Sequence, residues 1–142
     1  MDKLKPNLLI RLDVDLFGHP SQMQTFMRRE LMHIDDMLDP AFEYDPSLSQ
    51  FFDECGMPNA LRDRYRVLWD AYVDGRISAR FNTGIDFRTR NKTEFNRLFR
   101  VLGSQCNDAF SWIFGAPTLS HPEILGYARA PLKLLENIDP TR

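Results

Sequence analysis

Residues 7–17 read NLLIRLDVDLF, and the alternation in this stretch decides the fold class that the sequence predicts. Apolar side chains recur there at every second position, at Leu8, Ile10, Leu12, Val14 and Leu16. Three of the positions between them carry charge, at Arg11, Asp13 and Asp15. A period of two is typical of a strand with one face on a core and the other in water. We therefore predict a first strand over residues 7–17, with charge on its outer face.

A helix is predicted after this strand. Gly18, His19 and Pro20 interrupt the chain, and Ser21 with Gln24 has the pattern of a capping box. Apolar residues then recur at helical spacing, at Met23, Met27, Leu31, Ile34 and Leu38. Asp39-Pro40 ends the pattern. Such a helix has one apolar stripe, and a stripe of this kind normally faces the core.

Two further helices and a hairpin are predicted up to residue 88. Asp45-Pro46 can open a short helix that Gly56 closes, and a longer one over residues 58–75 has Gly75 placed to end it. From residue 77 the period is again two. One face carries Ile77, Ala79, Phe81, Ile85 and Phe87, and the other carries Arg76, Ser78, Arg80, Asp86 and Arg88. Asn82-Thr83-Gly84 suits a three-residue loop, so we predict a β-hairpin here.

The rest of the chain is predicted to be helical. Asn91 and Glu94 form a second capping-box pattern, followed by a long apolar stripe at Phe95, Leu98, Leu102, Cys106, Ala109, Phe110 and Ile113. Ser120 with Glu123 starts a last segment, which Pro131 divides. The predicted fold class is α+β, a single domain over residues 1–142. A small antiparallel sheet of about three strands, one N-terminal strand plus the hairpin, packs against several amphipathic helices.

The composition of the chain is that of a globular domain. The chain has 142 residues, 43% of them apolar and 27% charged, which is ordinary for a globular domain. No run approaches the length of a membrane span, and no secretory signal is recognisable. The two cysteines, Cys55 and Cys106, lack CxxC spacing, so neither a disulfide framework nor a zinc site is expected. We expect a cytoplasmic protein without a cofactor, and the oligomeric state stays open.

Charge is unevenly spread, and this supplies the candidate binding residues. Between Glu30 and Leu61 there are eight acids and no Lys or Arg, and the predicted acidic surface comprises Asp35, Asp36, Asp39, Glu43 and Asp45. The segment from Arg76 to Arg100 contains seven basic residues and two acidic ones. The predicted binding residues are Arg76, Arg80, Arg88, Arg90, Lys92 and Arg97. Either set can guide a partner, or the two can pair with each other inside the domain.

Other chemistry has weaker sequence support. Asp13 and Asp15 lie two apart on the predicted strand and could hold a divalent cation, but salt bridges to the hairpin arginines are the stronger expectation. The three histidines lack the paired spacing of a metal site. Cys106 lies on an apolar stripe without an obvious base, and no P-loop, GxSxG, HExxH or GxGxxG motif occurs. No catalytic residue is assigned.

The leading functional hypothesis is therefore a non-enzymatic binding protein, a regulator or inhibitor that contacts another protein through charged surfaces. The first alternative is nucleic-acid binding through the basic hairpin and the helix start, where Phe81, Phe87, Phe95 and Phe99 interleave with the basic residues. The second alternative is a metal-dependent phosphoryl-transfer enzyme that uses Asp13 and Asp15. No membrane partner is expected.

Overall fold

The structure, a computed structural model, describes residues 7–47, 58–81 and 86–138. Within these residues the α-helices are α1 (Pro20–Leu38), α2 (Pro58–Arg80), α3 (Phe87–Leu98), α4 (Cys106–Gly115) and α5 (His121–Arg129). Short 3₁₀ helices cover Val14–Gly18, Arg100–Gln105 and Pro131–Asn137. The predicted short helix between Asp45 and Gly56 lies largely outside the described residues.

The prediction of an α+β fold is wrong, because the described ranges contain helices and no β-strand, hence no sheet. Residues 7–17 do not form a strand. The Asp13 carboxylate accepts a hydrogen bond from the Asp15 backbone N–H at 3.1 Å and so caps the first 3₁₀ helix. Leu8 and Val14, on the predicted inner face, are 53% and 79% exposed. The period of two in this segment therefore does not mark a buried face.

The predicted hairpin is wrong for a different reason. Helix α2 continues through Gly75 to Arg80, so the first predicted hairpin strand is helical. Ile77 is buried, and Phe81, which packs against the core, lies four residues after it. A spacing of four residues fits a strand, whose side chains repeat every two residues, and also a helix, with about 3.6 residues per turn. In this segment the chain forms the helix. The predicted loop at 82–84 lies outside the described residues.

Gly75 is buried within α2 instead of ending it. A Cβ built at this position would lie 1.8 Å from the backbone oxygen of Phe114 in α4. No side chain fits into that distance, so glycine is what allows α2 and α4 to approach so closely. The glycine that the sequence marks as a helix end is therefore a helix-packing residue.

The predicted long helix after residue 91 is divided. Asp86 caps α3 by accepting from the Thr89 N–H, so α3 begins before the expected capping box, and Asn91 lies inside it. Gly103 has φ +58° and separates α3 from α4. Even so, most of the predicted apolar stripe is buried, at Phe95, Leu102, Cys106, Ala109, Phe110 and Ile113. The pattern therefore identified the core side chains correctly but not the break between two helices.

Helix α2 lies at the centre of the fold, and α1, α3, α4 and α5 all pack against it. Its residues Leu68, Val73 and Ile77 are almost fully buried, in a core that also contains Phe95, Phe99 and Phe110 from the neighbouring segments. At the C-terminal end, the capping box of Ser120 and Glu123 is confirmed, as is the division of the last segment at Pro131. No described helix is both long and apolar enough to cross a membrane.

Candidate protein-binding surface

Polar side chains form much of the contact between α1 and α2. Within α1, all of which is described, Asp36 is the one buried residue, at 4% exposure. Its two carboxylate oxygens accept from Arg76 Nη1 at 2.9 Å and Nη2 at 2.5 Å, and Trp69 Nε1 also donates at 2.9 Å. The Arg76 guanidinium lies 3.8 Å from the ring centroid of Tyr72. This forked pairing satisfies a carboxylate that could not otherwise be buried.

A second polar cluster lies along the same contact. Arg29 Nε donates to Asp74 at 2.8 Å, and Asn91 Nδ2 donates to the other oxygen of Asp74 at 2.9 Å. Burial raises the pKa of Asp74, while Arg29 and Asn91 act in the opposite direction. His33 Nε2 lies 3.1 Å from Asp70 Oδ1. These contacts, with those of Asp36, join α1 to α2 and α2 to α3 through hydrogen bonds.

Because its polar face is turned inward, α1 turns much of its apolar stripe outward. We call Met23, Met27, Leu31, Ile34 and Leu38 the outer stripe. Leu31 and Leu38 are 53% and 52% exposed, and the other three are half-buried. The methionines of α1 that pack against the core are instead Met32 and Met37, which the stripe does not include. The outer stripe therefore lies outside the core.

The first turns of the outer stripe form one wall of an open groove. Its other wall is the N-terminal segment, and its volume is about 750 Å³. The lining residues are Leu12, Leu16, Phe17, Pro20, Ser21, Met23, Gln24 and Met27. Large apolar side chains on the segment that forms the other wall are exposed as well, at Leu8, Leu9, Val14 and Phe17. The groove and the outer stripe together make an apolar surface along most of α1.

Comparison with known proteins does not indicate a role for this surface. No protein-family model, curated protein or solved structure matches the chain. Its role is therefore inferred from its own chemistry, which is that of apolar side chains with acidic neighbours.

The predicted acidic residues divide into one inward and four outward side chains. Asp36 is the inward one. Asp35, Asp39, Glu43 and Asp45 are exposed near the C-terminal end of α1. Asp39 accepts from the Ala41 N–H, and Asp45 accepts from the Ser47 hydroxyl and N–H, contacts that lower the pKa of Asp45. Asp35 and Glu43 form no ion pair within the part of the chain that the structure describes.

The predicted basic residues differ in their burial and in their partners. Besides Arg76, Arg88 donates to Ser111 Oγ at 2.6 Å and Arg97 donates to Glu94 at 2.6 Å. Arg80 and Arg90 are exposed, and Lys92 is half-buried. The aromatic rings interleaved with them are largely unavailable, since Phe87, Phe95 and Phe99 are at most 1% exposed. The structure thus separates the charges from the rings that base stacking needs.

The expected salt bridges of Asp13 and Asp15 to the hairpin arginines are absent. Neither aspartate forms an ion pair with a described residue, because there is no sheet to place them opposite the arginines. Among the described residues, no three His, Cys, Asp or Glu side chains are grouped closely enough to hold a metal ion. Cys106 is buried, its Sγ lies 3.1 Å from Asn96 Oδ1, and burial raises its pKa.

One contact near the acidic residues was not anticipated. The His121 ring is buried with its Nδ1 2.6 Å from the Tyr65 hydroxyl, and its backbone N–H donates to the Phe42 carbonyl at 2.7 Å. Burial lowers the pKa of His121, and Asp45 offsets this in part. This contact holds the loop that carries Glu43 and Asp45 against α5. Tyr65 and His121 are 56 positions apart, so no local pattern could reveal it.

Proposed function

We propose that this chain is a non-enzymatic protein-binding domain that takes a segment of another protein on the groove and outer stripe of α1. The observation that carries the proposal is the orientation of α1, whose polar side chains pair inward while Leu31 and Leu38 face outward. A helix normally turns its apolar stripe to the core, so the reverse arrangement leaves apolar area for a partner.

The chemistry of the surface suits this role. Burying exposed leucine and phenylalanine side chains is favourable by about 25 cal/mol per Å² of apolar area. The unbranched side chains of Met23 and Met27 adapt to the shape of what they contact. A groove beside a helix is also a common way to bind a helical segment of a partner. Such a domain acts by occupying its partner, as a regulator or an inhibitor does.

Nucleic-acid binding has less support. Arg76, Arg88 and Arg97 are engaged within the protein, and the phenylalanine rings near the basic residues are mostly core. The phosphoryl-transfer alternative has no metal-binding cluster to rest on within the described ranges.

Site-directed photocrosslinking tests the proposal. A benzophenone amino acid in place of Leu31, in the cells that make the protein, is expected to yield a defined adduct with one other protein. The matched control carries the same amino acid in place of Leu132, which is 56% exposed in the last 3₁₀ helix, away from α1. Adding Leu38→Gln to the Leu31 probe should remove the adduct. Identical adducts from both positions, or no adduct from Leu31, would contradict the proposal.

A further inference from the structure

Helix α1 carries acidic side chains beside its outer stripe. Arg28 and Arg29 are the basic residues of α1, and both are engaged. The Arg28 guanidinium lies 4.3 Å from the Phe81 ring centroid, and Arg29 is bonded to Asp74. The acidic side chains beside the stripe are half-buried Glu30 and exposed Asp35 within α1, and exposed Asp39 follows at its C-terminal end. An apolar surface with an acidic border fits an apolar segment with a basic border.

The same charges disfavour two other occupants. A second copy of the chain would bring acidic borders together when two outer stripes pair, and like charges in contact are unfavourable. An anionic membrane would repel the acids, whereas helices that lie on such membranes carry Lys and Arg on their polar face. A basic protein segment meets neither obstacle.

The shape of the surface indicates the conformation of that segment. From Met23 to Leu38 the outer stripe spans about 22 Å at 1.5 Å per residue, close to four helical turns. A straight stripe of this length, open to a groove, accepts the ridge of another helix. No strand edge is available in the described parts of the chain, so an extended segment has no β-strand to pair with.

We propose that the partner segment is a basic amphipathic helix of about four turns, with a stripe of large apolar residues bordered by Lys or Arg. This inference rests on the proposed function and names the partner chemistry of the same surface. The apolar stripe supplies most of the affinity, and the charges select among partners and speed association.

The probes are three synthetic helical peptides that share one apolar stripe and differ only in the residues that border it, which are Lys, Gln or Glu. Each peptide is titrated with the full chain, and binding is measured by fluorescence anisotropy. We expect the Lys peptide to bind about tenfold tighter than the Gln peptide, the size that a few exposed ion pairs provide, and the Glu peptide to bind weakest. Raising NaCl from roughly 0.02 to 0.3 M should remove most of this difference by screening.

Two pairs of variants separate the contributions. Glu30→Lys with Asp35→Lys should reverse the peptide order, while the control Glu136→Lys, in the last 3₁₀ helix, should not. Leu31→Gln with Leu38→Gln should abolish binding of all three peptides, while Val101→Gln with Leu132→Gln, at exposed positions elsewhere, should leave it intact.

Other outcomes overturn the inference. Equal affinity for the Lys and Glu peptides, or no binding of any peptide, rejects a basic helical partner. Binding of the outer stripe to anionic vesicles, or a particle of twice 16.6 kDa that Leu31→Gln with Leu38→Gln dissociates, assigns the surface to a membrane or to a second copy. The crosslinking result from Leu31 decides the proposed function separately, because it does not depend on the charge of the partner.

Discussion

Arg76→Met is expected to lower the free energy of unfolding by about 3–5 kcal/mol, the usual cost of leaving a buried charge without its partner. The change removes the two hydrogen bonds to Asp36, at 2.9 and 2.5 Å, and keeps a side chain of similar length. Asp36 is 4% exposed, so its carboxylate has lost most of its hydration and depends on the guanidinium for compensation. Urea denaturation of the wild-type chain and the variant measures the loss.

The matched control for this prediction is Arg97→Met, which breaks the exposed pair with Glu94. That variant should lose less than about 1 kcal/mol, since exposed ion pairs contribute little. Replacing both partners, by Asp36→Leu with Arg76→Met, should recover much of the stability because no buried charge remains. Equal losses of unfolding free energy in Arg76→Met and Arg97→Met would show that Asp36 and Arg76 do not form a buried ion pair.

Gly75→Ala is expected to destabilise the chain by about 1–3 kcal/mol or more, as overpacking does. The added Cβ would meet the Phe114 backbone oxygen at 1.8 Å, and a backbone atom cannot move aside without shifting α4. Helix propensity acts with the opposite sign, because alanine is better than glycine within a helix by about 1 kcal/mol. The sign of the measured change therefore distinguishes close packing from propensity.

Gly126→Ala in α5 is the control for this prediction. A Cβ at Gly126 meets no atom within 4 Å, so propensity should dominate and the variant should gain about 0.5–1 kcal/mol. Thermal or urea unfolding of both variants checks the pair. If Gly75→Ala stabilised the chain as Gly126→Ala does, the close approach of α2 and α4 would be refuted.

Local patterns in the sequence located several features of the fold correctly. The helical spacing that begins at Met23 corresponds to α1, and the capping box of Ser120 and Glu123 begins α5. The predicted strands failed because alternation of apolar residues is not unique to strands. Ile77 and Phe81 also fit a helix, and the apolar residues in 7–17 alternate without a buried face.

The candidate site was harder to predict than the helices. Asp35, Asp39, Glu43 and Asp45 are exposed, as charged side chains usually are, whereas Asp36 is buried. The direction in which α1 faces depends on pairs distant in sequence, such as Asp36 with Arg76, 40 positions apart. The sequence of α1 alone does not show that residues of α2, such as Arg76, will bind the face of α1 opposite its apolar stripe and bury it.

Polar pairs hold α1 against α2 and leave Leu31 and Leu38 exposed, and we propose that a partner covers this apolar stripe. The most direct test is the free energy of unfolding of the double variant Leu31→Gln with Leu38→Gln. Since both side chains are more than half exposed, the predicted loss is less than about 1 kcal/mol. A loss of about 4 kcal/mol or more, as expected for two truncated core leucines, would place the stripe in the core and contradict the claim.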